Sequence, residues 1–340
     1  MPDSSPPAYF SIRNTLLKQS DQLAGVPEPD RAAVLATALD AVPVAAGFLR
    51  PYSTLFAEGD SSASRLAFSC LSAAATFPDA ARDEVAELGT LTAILFGLDD
   101  IADNIAGSWS PDDVLAIFGR LSSALRGQGT DPGDEGPVGE ALRAWRDWWT
   151  RFGADPEVAV YAPALAEQLD LAGAAMARER AWSEGGEPWP DYDTYVDNGT
   201  QTILYRTWWV AGLGVRGPRP AHDRHWRAVV SATHLGAACM RLANDIRTFE
   251  RERSEGKPNS VLILERAGTD TRAAVDRVAA HIAELNGRFL NALAALPPEL
   301  AAIAEGQRRS VAFNGAWYLA RDTHAYTVRE LAGDVGAHGG

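Results

Sequence analysis

The stretch Leu91-Thr92-Ala93-Ile94-Leu95-Phe96-Gly97-Leu98-Asp99-Asp100-Ile101-Ala102-Asp103 decides the fold, because an apolar run passes directly into three aspartates. On a helix advancing about 100° per residue, Asp99 and Asp103 lie about 40° apart on one face, with Asp100 about 100° away. Two carboxylates then point the same way at the end of a segment that should be buried. That arrangement costs free energy unless solvent or a cation meets it. A helix that simply emerges into water at Leu98 is the plain explanation; a hard divalent cation shared by the carboxylates is the other.

Working outward, apolar residues recur at three- and four-residue spacing almost throughout, alanine and leucine dominate, and β-branched clusters are sparse. This predicts an all-α fold, with helices over 29–48, 62–76, 80–105, 111–126, 137–151, 158–182, 191–212, 221–254, 270–295 and 297–329. The breaks follow local punctuation. Ser110-Pro111-Asp112-Asp113 supplies an N-cap, a first-turn proline and acids suited to the positive helix end, and 127–136, 183–190 and 214–220 are polar and rich in Gly or Pro. Short connections predict a single-domain helical bundle over 26–330, with loose ends at 1–25 and 331–340.

A second constellation lies late in the longest helix: Arg241-Leu242-Ala243-Asn244-Asp245-Ile246-Arg247-Thr248-Phe249-Glu250-Arg251-Glu252. With Asn244 at zero, Thr248 falls at about 40°, Glu252 at about 80°, Arg241 at about 60° and Arg251 at about −20°. One stripe therefore carries an amide oxygen, a hydroxyl, a carboxylate and two guanidiniums. The three oxygens suit Mg²⁺, and the arginines suit a phosphate that the metal leaves exposed. An exposed helix laced with Arg/Glu pairs is the alternative, but Asn and Thr are poor helix fillers and their phasing needs a reason.

The chain has 340 residues with 45 acidic and 31 basic side chains, a net charge of −14. Such a charge disfavours nucleic acid and anionic membrane surfaces as partners, so an anionic ligand would have to be met through a cation. Cys70 and Cys239 stand apart in apolar surroundings, which fits core packing in a reducing compartment. Residues 1–9 lack the basic and apolar regions of a secretory signal, and no apolar run looks long enough to span a membrane, so a soluble cytoplasmic protein is expected.

Together the two stripes resemble the metal motifs of the class I terpene synthase family, the first as DDxxD and the second as (N/D)DxxTxxxE. Glu179, Trp182, Pro188 and Tyr195 resemble the family's approach to its central helix. Gly256-Lys257-Pro258-Asn259-Ser260-Val261 resembles its exit loop, and Trp317 to Tyr326 its closing helix. The resemblance implies a helical bundle around an apolar cavity, binding of an isoprenoid diphosphate, and three Mg²⁺ ions. Two of these ions would lie on Asp99 and Asp103 with Asp100, and the third on Asn244, Thr248 and Glu252. It further implies diphosphate contacts from Arg241, Arg251 and Tyr326, and a dry pocket lined by Phe96, Gly199, Thr202, Trp208 and Trp317, with Trp209 a further aromatic candidate; ordinary core packing is the alternative for each aromatic.

Departures from the usual bacterial pattern steer the substrate expectation. Gly199 stands where many bacterial sesquiterpene cyclases carry an arginine, and Ala325-Tyr326 replaces their Arg-Tyr pair. Arg241, three residues before Asn244, and the text Tyr195 to Ile203 resemble plant-type and labdane-related bacterial diterpene synthases instead. Gly199 marks either a helix break near the reacting carbon or a tight helix crossing. The expected activity is a class I diterpene synthase, a lyase, acting on a labdane-type copalyl-like diphosphate, with geranylgeranyl diphosphate next. A sesquiterpene cyclase on farnesyl diphosphate, a trans-prenyl diphosphate synthase and a non-enzymatic helical interaction protein are the rivals. The chain has no Asp-x-Asp-Asp string, so an upstream class II cyclase or prenyl diphosphate synthase would supply the substrate. Monomer and homodimer are both left open.

Overall fold

The computed structural model describes residues 23, 25–53, 56, 60–103, 105, 107–128, 135–218, 223–320, 331–332 and 334–336. Among these there is no strand. In chain order the helices are α1 (Arg31–Leu49), α2 (Asp60–Thr76), α3 (Arg82–Ala102), α4 (Pro111–Leu125), α5 (Gly136–Phe152), α6 (Pro156–Ala159), α7 (Ala162–Ser183), α8 (Tyr192–Thr202), α9 (Tyr205–Arg216), α10 (Asp223–Glu255), α11 (Ser260–Arg266), α12 (Thr271–Ala294) and α13 (Ala301–Ala320).

The starts are set by side chains that satisfy the free amides of the first turn. The Asp113 amide donates to Ser110 Oγ at 3.2 Å while the Ser110 amide donates to Asp113 Oδ2 at 2.9 Å, a reciprocal capping box. Asp191 and Asp270 cap α8 and α12 by one-way bonds, accepting from the Thr194 and Ala273 amides.

Six elements close a ring: α2 packs on α3, α3 on α7, α7 on α8, α8 on α10, α10 on α13, and α13 back on α2. The cavity lies inside this ring. Helix α9 plugs one side, touching α3, α7, α10 and α13, while α1, α4, α5 and α12 pack outside and supply the apolar layer that holds the ring rigid.

Several expectations are corrected. The single helix expected over 191–212 is two, because Leu204 takes a left-handed conformation with φ 56°, which ends α8 and redirects α9. The break falls at Leu204, not at Gly199, which is inside α8. Helix α11 was not anticipated. The expectation of no membrane-length apolar run also fails on length and composition alone. Glu28–Leu49 passes that test, although Val34, Leu35, Ala38, Ala41, Val42 and Ala45 are buried where it packs on α2 and α3. The terminal segments expected to be loose lie outside the described residues over 1–22 and 337–340, yet Leu23 and Leu331 at their inner ends are fully buried. The C-terminal part of the helix expected over 297–329 also lies outside the described residues beyond Ala320.

Candidate active site

The first acidic stripe forms the upper edge of the cavity at the C-terminal end of α3. Asp99 faces the cavity. Burial is the main cause that raises its carboxyl to about 8; the charges of Asp103 and Asp100 add to the rise, and Arg65 and Arg241 oppose it. Asp100 turns aside to Arg65 on α2. The guanidinium donates through Nη2 to Oδ1 at 2.9 Å and through Nη1 to Oδ2, a two-pronged ion pair. Asp103 is exposed, and its Oδ2 accepts from Lys257 Nζ at 3.0 Å, across 154 residues of sequence. Lys257 lies in the loop that leaves α10, so this contact fastens the two stripes together.

The second stripe faces the same cavity from α10, where Asn244, Thr248 and Glu252 sit one turn apart. Thr248 Oγ1 lies 3.0 Å from the Asn244 backbone carbonyl, its hydrogen-bond acceptor within the helix. The Glu252 carboxyl is raised to about 7, chiefly by burial and then by the Asp245 charge; Arg241, Asn259 and Thr248 pull it back. Asn259 Nδ2 fixes that carboxylate through Oε2 at 2.7 Å. Asp245 points the other way and is fully buried. It accepts from Tyr195 Oη at 3.1 Å and from the Ser260 amide at 3.2 Å, tying α10 to α8 and to the start of α11.

Arg241 is the hub of this wall. Its Nε lies 3.1 Å from Asp245 Oδ1, its Nη2 3.4 Å from Glu179 Oε1, and its Nη1 donates to Thr202 Oγ1 at 3.0 Å. Burial alone would lower its proton affinity, but Glu179, Tyr195, Asp245 and Glu252 outweigh it and hold the guanidinium charged. Glu179 is raised by burial in turn, against the pull of Arg241. Gly199 is what lets the arginine lie so close. A Cβ there would stand 2.7 Å from Arg241 Cγ, so the glycine serves a tight helix crossing.

The structure brings most of the expected site residues to one cavity. Asp99, Asp100, Asp103, Asn244, Thr248 and Glu252 edge it, Arg241 and Arg251 flank them, and Phe96, Thr202 and Trp208 line it further in. Two expected lining residues do not belong. Gly199 is covered by Arg241, and Trp317 is buried behind Phe68, with ring centroids 5.0 Å apart. Trp209 is likewise fully buried, packed edge-on against Phe77 and Trp208, and it is Tyr318 that lines the cavity from α13. Tyr326 lies outside the described residues. Arg65 carried no assignment from the sequence, since its partner is 35 residues away and nothing local marks it. Glu179 and Lys257 stood in motif-like text without a role. Arg251 is more than half exposed and swings toward Glu255 at 3.7 Å.

The donor set fits hard divalent cations. Among the described residues no group of three or more His, Cys, Asp or Glu side chains is close enough to hold a metal alone. One edge offers two carboxylates and the other a carboxylate, an amide oxygen and a hydroxyl, so a six-coordinate cation here would complete its shell with water and with oxygens of an anionic ligand.

Comparison with known proteins agrees with this arrangement. Residues 90–286, which contain both stripes, match the model of terpene synthase family 2, C-terminal metal binding. The ent-pimara-9(11),15-diene synthase of Streptomyces sp. (strain KO-3988) is 29% identical over 164 residues; that match spans 46% of this chain and only 52% of the relative's length. Among solved structures, germacradien-4-ol synthase from Streptomyces citricolor superposes with a TM-score of 0.62 at 20% identity, covering 82% of this chain and 94% of that one. Isoprene synthase from grey poplar (Populus x canescens) superposes with a TM-score of 0.69 at 15% identity, covering 90% and 57%. These structures share the fold of this chain, and the family model covers more than half of it. A cavity edged by two facing oxygen-rich stripes is thus what the sequence match would lead one to find, and the chain belongs to the terpene synthase family, in the class I helical fold.

Proposed function

We propose that the protein is a class I diterpene synthase that ionises an isoprenoid diphosphate with Mg²⁺, taking a labdane-type copalyl-like diphosphate in preference to geranylgeranyl diphosphate. One observation carries the reading: two oxygen-rich stripes, far apart in sequence, edge one cavity whose deeper wall is apolar and aromatic. The relative named for ent-pimara-9(11),15-diene supports the diterpene assignment. The sequence text Tyr195 to Ile203 and Arg241, in their labdane-related pattern, support the bicyclic substrate.

In this reading Asp99 and Asp103 on one side, and Asn244, Thr248 and Glu252 on the other, hold three Mg²⁺ ions. When bound, the ions supply Lewis-acid stabilisation of charge on the leaving diphosphate. Asp100 contributes by neutralising and aiming Arg65. Arg241 adds a fixed positive charge beneath the diphosphate, held in place by Glu179 and Asp245. Arg251, exposed at the rim, is free to turn onto the phosphate. The C–O bond breaks with its electron pair leaving on the diphosphate, and the hydrocarbon cation remains against Phe96 and Trp208. Aromatic faces attract cations, and the apolar wall limits bulk water. The net charge of −14 makes metal charge the means by which a negative protein meets a negative substrate. Two free, buried thiols, Cys70 and Cys239, suit a cytoplasmic setting.

The test is incubation of purified protein and Mg²⁺ with farnesyl, geranylgeranyl and copalyl-type diphosphates, followed by mass-spectrometric product analysis. A cyclic diterpene from a copalyl-type substrate, with diphosphate released, is expected. Turnover of farnesyl diphosphate alone would overturn the substrate assignment. Chain elongation with added isopentenyl diphosphate would overturn the reaction type.

A further inference from the structure

Below the metal-facing rim, a cluster of polar side chains interrupts the apolar wall, apart from Thr92, which accepts from Trp208 Nε1 at 3.0 Å. Ser72 on α2 and Ser310 and Asn314 on α13 all line the cavity, and they are joined to one another. Ser72 Oγ donates to Asn314 Oδ1 at 2.9 Å, and Asn314 Nδ2 donates to the Ser310 backbone carbonyl at 3.0 Å and to Ser310 Oγ at 3.1 Å. Tyr205, the first residue of α9 after the left-handed turn at Leu204, lines the cavity beside Ser310. Its buried hydroxyl has Ser310 and Trp209 as polar neighbours but neither in good hydrogen-bond geometry.

The cluster lies well away from the diphosphate end. Ser72 is seven residues beyond Arg65 along α2, about 10 Å at 1.5 Å per residue. The cavity is also lined by Phe68, one turn above Ser72 on α2, and by Leu95 and Trp208.

Hydrogen-bond capacity is left over after these internal bonds. Ser72 Oγ has spent its proton and keeps its lone pairs, Asn314 Oδ1 keeps a second lone pair, and Ser310 and Tyr205 each have a hydroxyl proton to give. Two acceptors and two donors in one contiguous cluster make the complement of a single water molecule, which needs two to four polar partners to be held in a buried place. Set among Phe68, Leu95 and Trp208, that water would be a nucleophile beside the hydrocarbon end of the substrate.

We propose that Ser72, Ser310, Asn314 and Tyr205 hold a water molecule that quenches the last carbocation, so that the main product is a terpene alcohol. This rests on the ionisation reaction proposed above and deepens it. A lone pair of the water oxygen forms the C–O bond to the cationic carbon. The resulting oxonium then gives up one proton, which passes through solvent to the diphosphate released in the first step. No redox change occurs, and water is the only reactant added.

The experiment runs the reaction in ¹⁸O-labelled water and measures two things separately: diphosphate released, and the ratio of alcohol to hydrocarbon with its label content. The expected result is one stereoisomer of a labelled alcohol as the main product. In Ser72→Ala and Asn314→Leu the alcohol-to-hydrocarbon ratio falls by about fivefold or more, the worth of one lost hydrogen bond. The ratio is read within the products formed, so a slower variant still reports. Should Asn314→Leu not fold, Ser72→Ala, which removes a single oxygen atom, carries the test. Diphosphate release with only hydrocarbon products overturns this inference and leaves the ionisation reading standing. An unlabelled alcohol, or an unchanged ratio in the folded variants, also overturns it. Absence of diphosphate release from every substrate overturns both.

Discussion

Replacing Gly199 with alanine sets two effects of opposite sign against each other. Alanine is favoured over glycine inside a helix by about 1 kcal/mol, so at an open position the change would stabilise α8. Here the added Cβ would stand 2.7 Å from Arg241 Cγ, 3.2 Å from Cδ and 3.3 Å from Nε. The arginine would have to move, and it is pinned by Glu179, Asp245, Tyr195 and Thr202. Loss of even one charge-assisted hydrogen bond in this buried network costs about 1.5–3 kcal/mol, and overpacking adds about 1–3 kcal/mol. Against the propensity gain, Gly199→Ala should destabilise the protein by about 1.5–5 kcal/mol, summed from these ranges. Urea denaturation at fixed pH measures it. In an Arg241→Ala background the obstruction is gone, and the same substitution should become neutral or stabilising, so the double-mutant cycle reads the contact directly. A Gly199→Ala protein as stable as the parent, or a cycle with no coupling, would refute the packing argument.

Asp99→Asn and Asn244→Ala should each lower turnover at least about a hundredfold, because each removes a ligand oxygen or its charge from a preorganised site, while far-UV circular dichroism stays unchanged; retained activity in either would contradict the ligand assignment. Arg65→Met strands Asp100 in a largely buried position and should cost about 3 kcal/mol, measured by denaturation, with Asp100→Asn recovering part of it; a loss below about 1 kcal/mol would show the pair to be unimportant. Asp99, raised to about 8 by burial first and by Asp103 and Asp100 second, keeps its proton in the folded state over a range where the unfolded chain has released it. That contribution to stability is complete below about pH 4 and is lost as pH rises toward about 8. The metal-free protein should therefore melt at falling temperature across that window, and Asp99→Asn should flatten the decline; identical slopes in the two proteins would contradict the shift.

The long elements and both stripes were legible in the sequence because they rest on local periodicity. Helix α10 runs over Asp223–Glu255, close to the 221–254 that the pattern predicts, and the angular phasing of Asn244, Thr248 and Glu252 survives because nothing in the helix disturbs it. Where tertiary structure overrides local preference, the sequence misleads. Leu204 has no intrinsic reason to take φ 56°, and Thr202-Ile203-Leu204-Tyr205 contains neither glycine nor proline, so local sequence marks no break there and offers only Gly199, equally suited to a tight helix crossing, as a candidate. Helix α11 has only seven residues, too few for a period, although Asn259 caps it by accepting from the Val261 amide at 2.9 Å. Arg65 and Lys257 were unassigned for a different reason. Each acquires its meaning from a carboxylate distant in sequence, and only the closing of the helical ring puts them together.

The most direct measurement is calorimetric titration of inorganic diphosphate into the protein with and without Mg²⁺, repeated on Asp99→Asn and on Asn244→Ala. The account predicts binding that requires Mg²⁺ and is lost in either variant, since the two edges act on one anion through shared cations. Binding without Mg²⁺, or binding undiminished when one edge is disabled, would contradict it.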